Sequence, residues 1–336
     1  MNLPMAPTAA ANAPLELYDV RQLQEEVRAL ARERDAVILA HNYQVPEVQD
    51  VADYVGDSLG LSQQAAAANA SVIAFCGVHF MAETASVLCP DKTVLIPDLD
   101  AGCSLADAIT PEQLRAWQAD HPNAVTVMYV NTTAEIKALT DYCVTSSNAV
   151  AVVEHILREH GPDTEILFGP DMFLGAYVEK RIGRALHVWD GECHVHAGIR
   201  PGDIERVRAA HPGADFLIHP ECGCSTSVME YVAAGDVDSE GVHMLSTGGM
   251  LGYAREAKPG QTAIVATEIG MLHPLREAAP DTEFIAANER AACTYMKMIT
   301  LPKLRDCLRD GVHEVKVPAE VAERARVPIE RMVAIS

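Results

Sequence analysis

Three cysteines stand at matching places in three similar stretches: DLDAGCSL around Cys103, WDGECHVH around Cys193 and NERAACTY around Cys293. The steps between them are 90 and 100 residues. Three thiolates fall one short of the four ligands of a tetrahedral structural zinc site, and the chain has no CxxC pair from which a zinc ribbon could be built. His194 or His196, beside Cys193, could complete a Cys3His zinc site. On a four-iron cluster, three cysteines would instead leave one iron open, a Lewis acid for a carboxylate, hydroxyl or carbonyl. That arrangement suits dehydration better than electron transfer. Cys76, Cys89, Cys143 and Cys307 lie in apolar sequence and read as small core residues. Cys222 and Cys224 form a CxC pair that could be a redox dithiol, an extra metal site or a peculiarity of one loop.

The polar residues capable of proton transfer recur with a similar period. His41 and Tyr43 pair an imidazole that titrates near neutrality with a phenol. His219 and Glu221 supply a second acid–base pair, with Pro220 between them. Tyr129 and Asn131, flanking Val130, can orient a carboxylate or an oxyanion. Each group also has a hydroxyl at an expected helix start: Ser58, Ser146 and Thr247. Free N–H groups at such a helix end bind anions. Ser58 follows His41 by 17 residues and Ser146 follows Tyr129 by 17, but Thr247 follows His219 by 28. The third copy therefore carries an insertion of 11 positions, and Asp236 stands at the uninterrupted spacing without a Ser-Thr context.

Groups so far apart in the chain need a repeated scaffold to meet. Nine apolar, β-branched runs (AVILAHN, SVIAFCG, KTVLIPD, AVTVMYVN, EILFGP, ALHVWDG, DFLIHPE, QTAIVATE and EFIAANE) end at polar or glycine-rich turns, as buried parallel strands do. Amphipathic stretches such as 47–54 and 134–142 read as helices between them. The nine strands form three groups of three. First strands end in His41-Asn42-Tyr43, Tyr129-Val130-Asn131 and His219-Pro220-Glu221, at steps of 88 and 90 residues. A repeat of ~90 residues is too long for a solenoid unit. The fold expected is α/β: three small three-layer domains with parallel sheets, related by a pseudo-threefold axis around a central active site. Ligands of such sheets sit beyond the carboxyl ends of the strands, where every residue named above lies. The boundaries expected are a tail over 1–19, repeats over 20–105, 106–195 and 196–300, and a C-terminal segment over 301–336.

Composition narrows the partners. The chain has 336 residues, 49% of them hydrophobic, and a net charge of −21. Such an acidic chain is a poor ligand for nucleic acid or an anionic membrane. No apolar run reaches the ~20 residues of a membrane span. The N-terminus lacks a basic region followed by an apolar core, so it does not read as a secretory signal, and a cytoplasmic location is expected. An anionic substrate must then be held by local helix ends rather than by the global field.

The segments AHNYQ, DVADYVGDS, AGCSLAD, YVNTTAEIKALTDYCVTSSNAV, WDGECHVH, HPEC, ATEIGMLHPL and CTYMKMITL together resemble the quinolinate synthase family, over roughly His41 to Leu301. The resemblance implies one [4Fe–4S] cluster with three cysteine ligands and one open iron, on Cys103, Cys193 and Cys293. It implies condensation of iminoaspartate with dihydroxyacetone phosphate to quinolinate, with loss of phosphate and water, in de novo NAD synthesis. An aspartate-oxidising enzyme would be the metabolic partner. Substrate contacts would fall on His41, Ser58, Tyr129, the Val130 backbone, Asn131, Ser146, His219, the Pro220 backbone, Glu221 and Thr247. Tyr43 matches a tyrosine implicated in proton transfer; His41, Tyr43 and Glu221 would be catalytic. The CxC pair and the insertion depart from the family pattern. A zinc-dependent hydrolase and a non-enzymatic iron–sulfur sensor are the alternative readings.

Overall fold

The computed structural model describes residues 17–225, 227–229 and 241–335. Twelve strands among them form three four-stranded sheets, parallel throughout. The first holds β1 (Ala36–His41), β2 (Tyr54–Gly56), β3 (Val72–Cys76) and β4 (Thr93–Leu95). The second holds β5 (Val125–Tyr129), β6 (Tyr142–Val144), β7 (Ile166–Gly169) and β8 (His187–Val188). The third holds β9 (Asp215–Ile218), β10 (Val242–Met244), β11 (Thr262–Ala266) and β12 (Glu283–Ala286). Their spatial orders, β2-β1-β3-β4, β6-β5-β7-β8 and β10-β9-β11-β12, are one order used three times. The chain thus folds as three like α/β domains.

The nine apolar runs are β1, β3, β4, β5, β7, β8, β9, β11 and β12. Their inner strands are nearly continuous in burial, as in Val37–His41 and Thr126–Tyr129. Each Ile, Leu or Val so covered contributes roughly 1.5–3 kcal/mol relative to exposure. The three-residue strands β2, β6 and β10 lie instead in stretches whose first halves look helical. In the first two copies the helices are Pro46–Gln49 and Ala134–Lys137, so Tyr54 and Tyr142 belong to strands, not to helices as the amphipathic pattern suggests. An aspartate makes the break in each of these two copies. Asp53 accepts the Ile38 N–H at 2.7 Å and Asp141 accepts the Thr126 N–H at 2.8 Å, which starts a new edge strand.

The helices Leu301–Asp310 and Ala319–Ala334 complete the body. The last one is tied to the second sheet where Asn148 Nδ2 donates to the Met332 and Ile335 carbonyls at 2.9 and 2.7 Å. Cys76, Cys89, Cys143 and Cys307 are all buried free thiols. Cys222 and Cys224 are joined in a disulfide and have no exposed surface. The N-terminal tail to residue 16, and the part of the third-copy insertion at 226 and 230–240 with Asp236, lie outside the described residues. Among the described residues, no helix is long and apolar enough to cross a membrane.

Candidate functional site

The carboxyl ends of the three sheets face one cavity. Its wall includes Cys103, Cys193 and Cys293 together with His41, Tyr43, Ser58, Tyr129, Asn131, Ser146, His219, Glu221 and Thr247. Val130 and Pro220 lie outside the wall. The Val130 N–H is taken by the Val144 carbonyl at 2.8 Å, and the Pro220 carbonyl accepts the Ser225 hydroxyl at 3.2 Å.

Each cysteine is delivered by the same construction. The residue opening the turn after β3, β7 or β11 donates its N–H to the carbonyl two positions before the cysteine: His79 to Ala101 at 2.7 Å, Met172 to Gly191 at 2.8 Å, Ile269 to Ala291 at 2.9 Å. Each cysteine carbonyl then closes a helical turn, accepting from Asp107, Ala197 or Lys297 at 3.1, 2.8 and 3.1 Å. Backbone N–H groups of Leu105 and Ala106 point at the Cys103 sulfur, and those of Tyr295 and Met296 at the Cys293 sulfur. Such donors favour thiolate. Burial nonetheless pushes the free Cys293 thiol up to about 12 and raises Cys103 well above the usual thiol range, so proton release needs a cation in exchange. Among the described residues, the three sulfurs do not form a group within 4.8 Å of one another. One tetrahedral zinc would need sulfur–sulfur distances of about 3.8 Å, twice the projection of a 2.3 Å bond. The wider span, the N–H donors and the all-thiol set fit a cluster better than a single ion. Cys193, His196 and Glu221 do lie close enough to share an ion. Their spacing is equally that of a hydrogen-bonded chain.

His196 is the centre of that chain. Its Nδ1 lies 3.2 Å from Cys193 Sγ and 3.3 Å from Glu221 Oε2, and its Nε2 lies 2.9 Å from Thr267 Oγ1. The Tyr43 hydroxyl meets Thr267 Oγ1 at 2.6 Å and His196 Nε2 at 3.3 Å. Tyr129 donates to Glu221 Oε1, and Ser146 Oγ meets His219 Nε2 at 3.2 Å. Burial alone would raise Glu221, but His219, His196 and the hydrogen bonds outweigh it and hold the carboxyl at about 2. Burial lowers His41 to about 3 and His219 to about 4, so both imidazoles are neutral at neutral pH. Burial raises Tyr43 and Tyr129, which keep their protons. The wall thus offers a fixed anion, two neutral imidazoles and two phenol donors. Among the described residues, Asn131 Oδ1 is buried without a partner, an acceptor open to a ligand.

The three hydroxyls differ in their surroundings. Ser58 and Thr247 are first residues of helices Ser58–Ala67 and Thr247–Glu256, capped by Asp57 and Ser246. Asp57 accepts the N–H of Gly60 at 2.8 Å and also that of Gly248, so one carboxylate serves both helix ends. Ser146 lies two residues before Asn148, whose side chain makes no cap hydrogen bond to helix Ala149–His160. The sequence pattern did not single out Asp57, Thr267 or Glu268 as site residues, and it raised His196 only as a zinc ligand. A cap residue or a strand-end threonine carries no mark of its own; what could have found them is their adjacency to Ser58 and to the ATE run.

The family model described as NadA: Quinolinate synthetase A protein matches residues 25–334. The match extends past Leu301 to include the two closing helices. A protein named quinolinate synthase from Mycobacterium sp. (strain KMS) is 55% identical over 329 residues, covering 98% of this chain and 96% of that one. Those of Mycobacterium tuberculosis and Mycolicibacterium paratuberculosis are each 57% identical, over 92% and 94% of this chain and 88% and 89% of theirs.

Proposed function

The chain belongs to the quinolinate synthetase A family, and from that premise we propose that it condenses iminoaspartate with dihydroxyacetone phosphate to make quinolinate for NAD synthesis. The observation that carries this reading is convergence: three matched strand ends bring three thiols and a full acid–base set to one cavity. Neither a zinc hydrolase nor an iron–sulfur sensor is favoured by the family.

Cys103, Cys193 and Cys293 would hold the cluster, which when bound supplies an open iron as a Lewis acid for an oxygen of the substrate. The protein's own groups divide the remaining work. Asp57 already occupies the helix ends beside Ser58 and Thr247, so the Thr145–Ser147 turn before helix Ala149–His160 is the better seat for the phosphate. The hydroxyls of Ser58 and Thr247, with Asn131 Oδ1, are left to orient the carboxylates and imine of the second substrate. His41 and His219, neutral in the wall, can accept protons during isomerisation. Tyr43 retains its proton and can return one to a departing hydroxyl. Glu221 fixes Tyr129 and stabilises positive charge as the nitrogen condenses. An aspartate-oxidising enzyme would supply the unstable imine.

The test is direct. Anaerobically prepared protein is mixed with dihydroxyacetone phosphate and iminoaspartate generated in place from aspartate. Quinolinate and inorganic phosphate should appear in equal amounts; the absence of both with cluster-loaded protein would overturn the reading.

A further inference from the structure

The turn after β11 carries a carboxylate used unlike its counterparts. Val78, Asp171 and Glu268 occupy the same place in the three domains, each one residue before the N–H that pins a cysteine loop. Val78 is apolar, and Asp171 turns inward to cap Leu174 at 2.7 Å. Glu268 reaches the cysteine itself: its Oε1 accepts the Cys293 N–H at 2.9 Å, while Oε2 accepts the Gly270 N–H at 2.6 Å. Lys297 Nζ lies 3.0 Å from Oε1 and 3.2 Å from Oε2, and also donates to the Tyr43 backbone carbonyl. The Glu268 side chain has no exposed surface. The convergence leaves no spare room: a Cβ on Gly270 would stand 2.7 Å from Glu268 Oε2, 2.8 Å from Lys297 Nζ and 2.8 Å from the Tyr43 carbonyl carbon.

We propose that the Glu268–Lys297 pair is a positioning device that fixes the Cys293 ligand against Tyr43, joining the cluster to the proton donor across two domains. The inference rests on the cluster reading above. Glu268 holds the Cys293 loop by its amide, so the sulfur faces the cavity at a set angle. Lys297 neutralises that buried carboxylate and carries the same fix to the end of β1. A cavity that must admit anionic substrates gains a rigid ligand without an uncompensated charge. Outer partners of metal ligands commonly act this way.

The experiment uses the anaerobically loaded full chain, comparing wild type with Glu268→Gln, Lys297→Met and the double variant. Three quantities are read: iron and sulfide per chain, the rate at which an iron chelator strips the cluster, and kcat and KM for quinolinate formation. Glu268→Gln should load cluster, yet lose it roughly 10- to 100-fold faster and fall by a similar factor in kcat, with KM little changed. Its cluster midpoint potential should move positive, since a buried negative charge beside a ligand is gone. Lys297→Met should be worse than the double variant, because it alone leaves a buried carboxylate unpaired. That ordering tests the pair even if one single variant folds poorly. Loaded Glu268→Gln with wild-type stripping rate, potential and kcat would overturn the inference and leave the cluster reading standing. Wild-type protein that takes up no iron and sulfide would overturn both.

Discussion

Replacing Glu221 by Gln changes one charge and almost no volume at a carboxylate that meets Tyr129, His196 and His219. The carboxyl is held at about 2 against an ordinary 4.5, a difference of about 2.5. At neutral pH, where His219 carries no charge, His196 and the hydrogen bond from Tyr129 are what favour the anion over the neutral form. The sign follows from the depression. This stabilisation is fully present above 4.5 and is lost as the pH falls through about 2, so at neutral pH all of it is available. A neutral amide forfeits it. If the same charge arrangement persists in the transition state, kcat falls at least ~10²-fold, and by up to ~10⁴-fold if Glu221 also moves a proton. The assay is the initial rate of quinolinate formation, with iron and sulfide measured on the same preparation. Intact cluster with collapsed turnover is expected. Intact cluster with near wild-type turnover would refute the reasoning and remove Glu221 from the chemistry.

Other perturbations test separate parts of the site. The unfolded chain takes up a proton on His41 near 6.5 while the folded chain resists until about 3, so stability is lost as the pH falls through that window. Between pH 7 and 5 the loss from His41 is about 2 kcal/mol; anaerobic urea unfolding of His41→Gln should show that much less acid sensitivity, and parallel pH profiles would exclude a neutral buried imidazole. Thr247→Val removes one buried hydroxyl from the wall. It should raise KM for one substrate about fivefold, from a hydrogen bond of roughly 1 kcal/mol; unchanged KM for both would detach Thr247 from binding. Cys143→Ala should keep full iron and sulfide, since that thiol is buried outside the wall; loss of cluster there would mean the wrong cysteines have been chosen.

Much of the scaffold was legible because buried parallel strands announce themselves. Nine runs of four to six apolar residues were enough to find nine strands, and the steps of 88 and 90 residues between polar trios gave the triplication. The edge strands β2, β6 and β10 were not legible. They are three residues long, and in the first two copies what places them is Asp53 or Asp141 bonding sideways to a neighbouring strand, an event with no periodic trace. In the site, residues sharing a phase with the cysteines could be read, as His41, Tyr129 and His219 were. Residues acting through a fold-specific neighbour could not. His196 and Thr267 matter because Tyr43 comes from the first domain to meet them, and because Glu221, 25 positions on, folds back against His196. Asp57 bridges two helix starts nearly 190 positions apart, and no local spacing records that.

The central claim is that three cysteines from three like domains hold one cluster with an iron left open. Iron and acid-labile sulfide, counted per chain in anaerobically purified protein, test it most directly, with Cys103→Ser, Cys193→Ser and Cys293→Ser alongside. The account predicts about four of each in the wild type, the composition of a four-iron cluster, and severe loss in all three variants. Zinc without sulfide in the wild type, or a full cluster in Cys193→Ser, would contradict it.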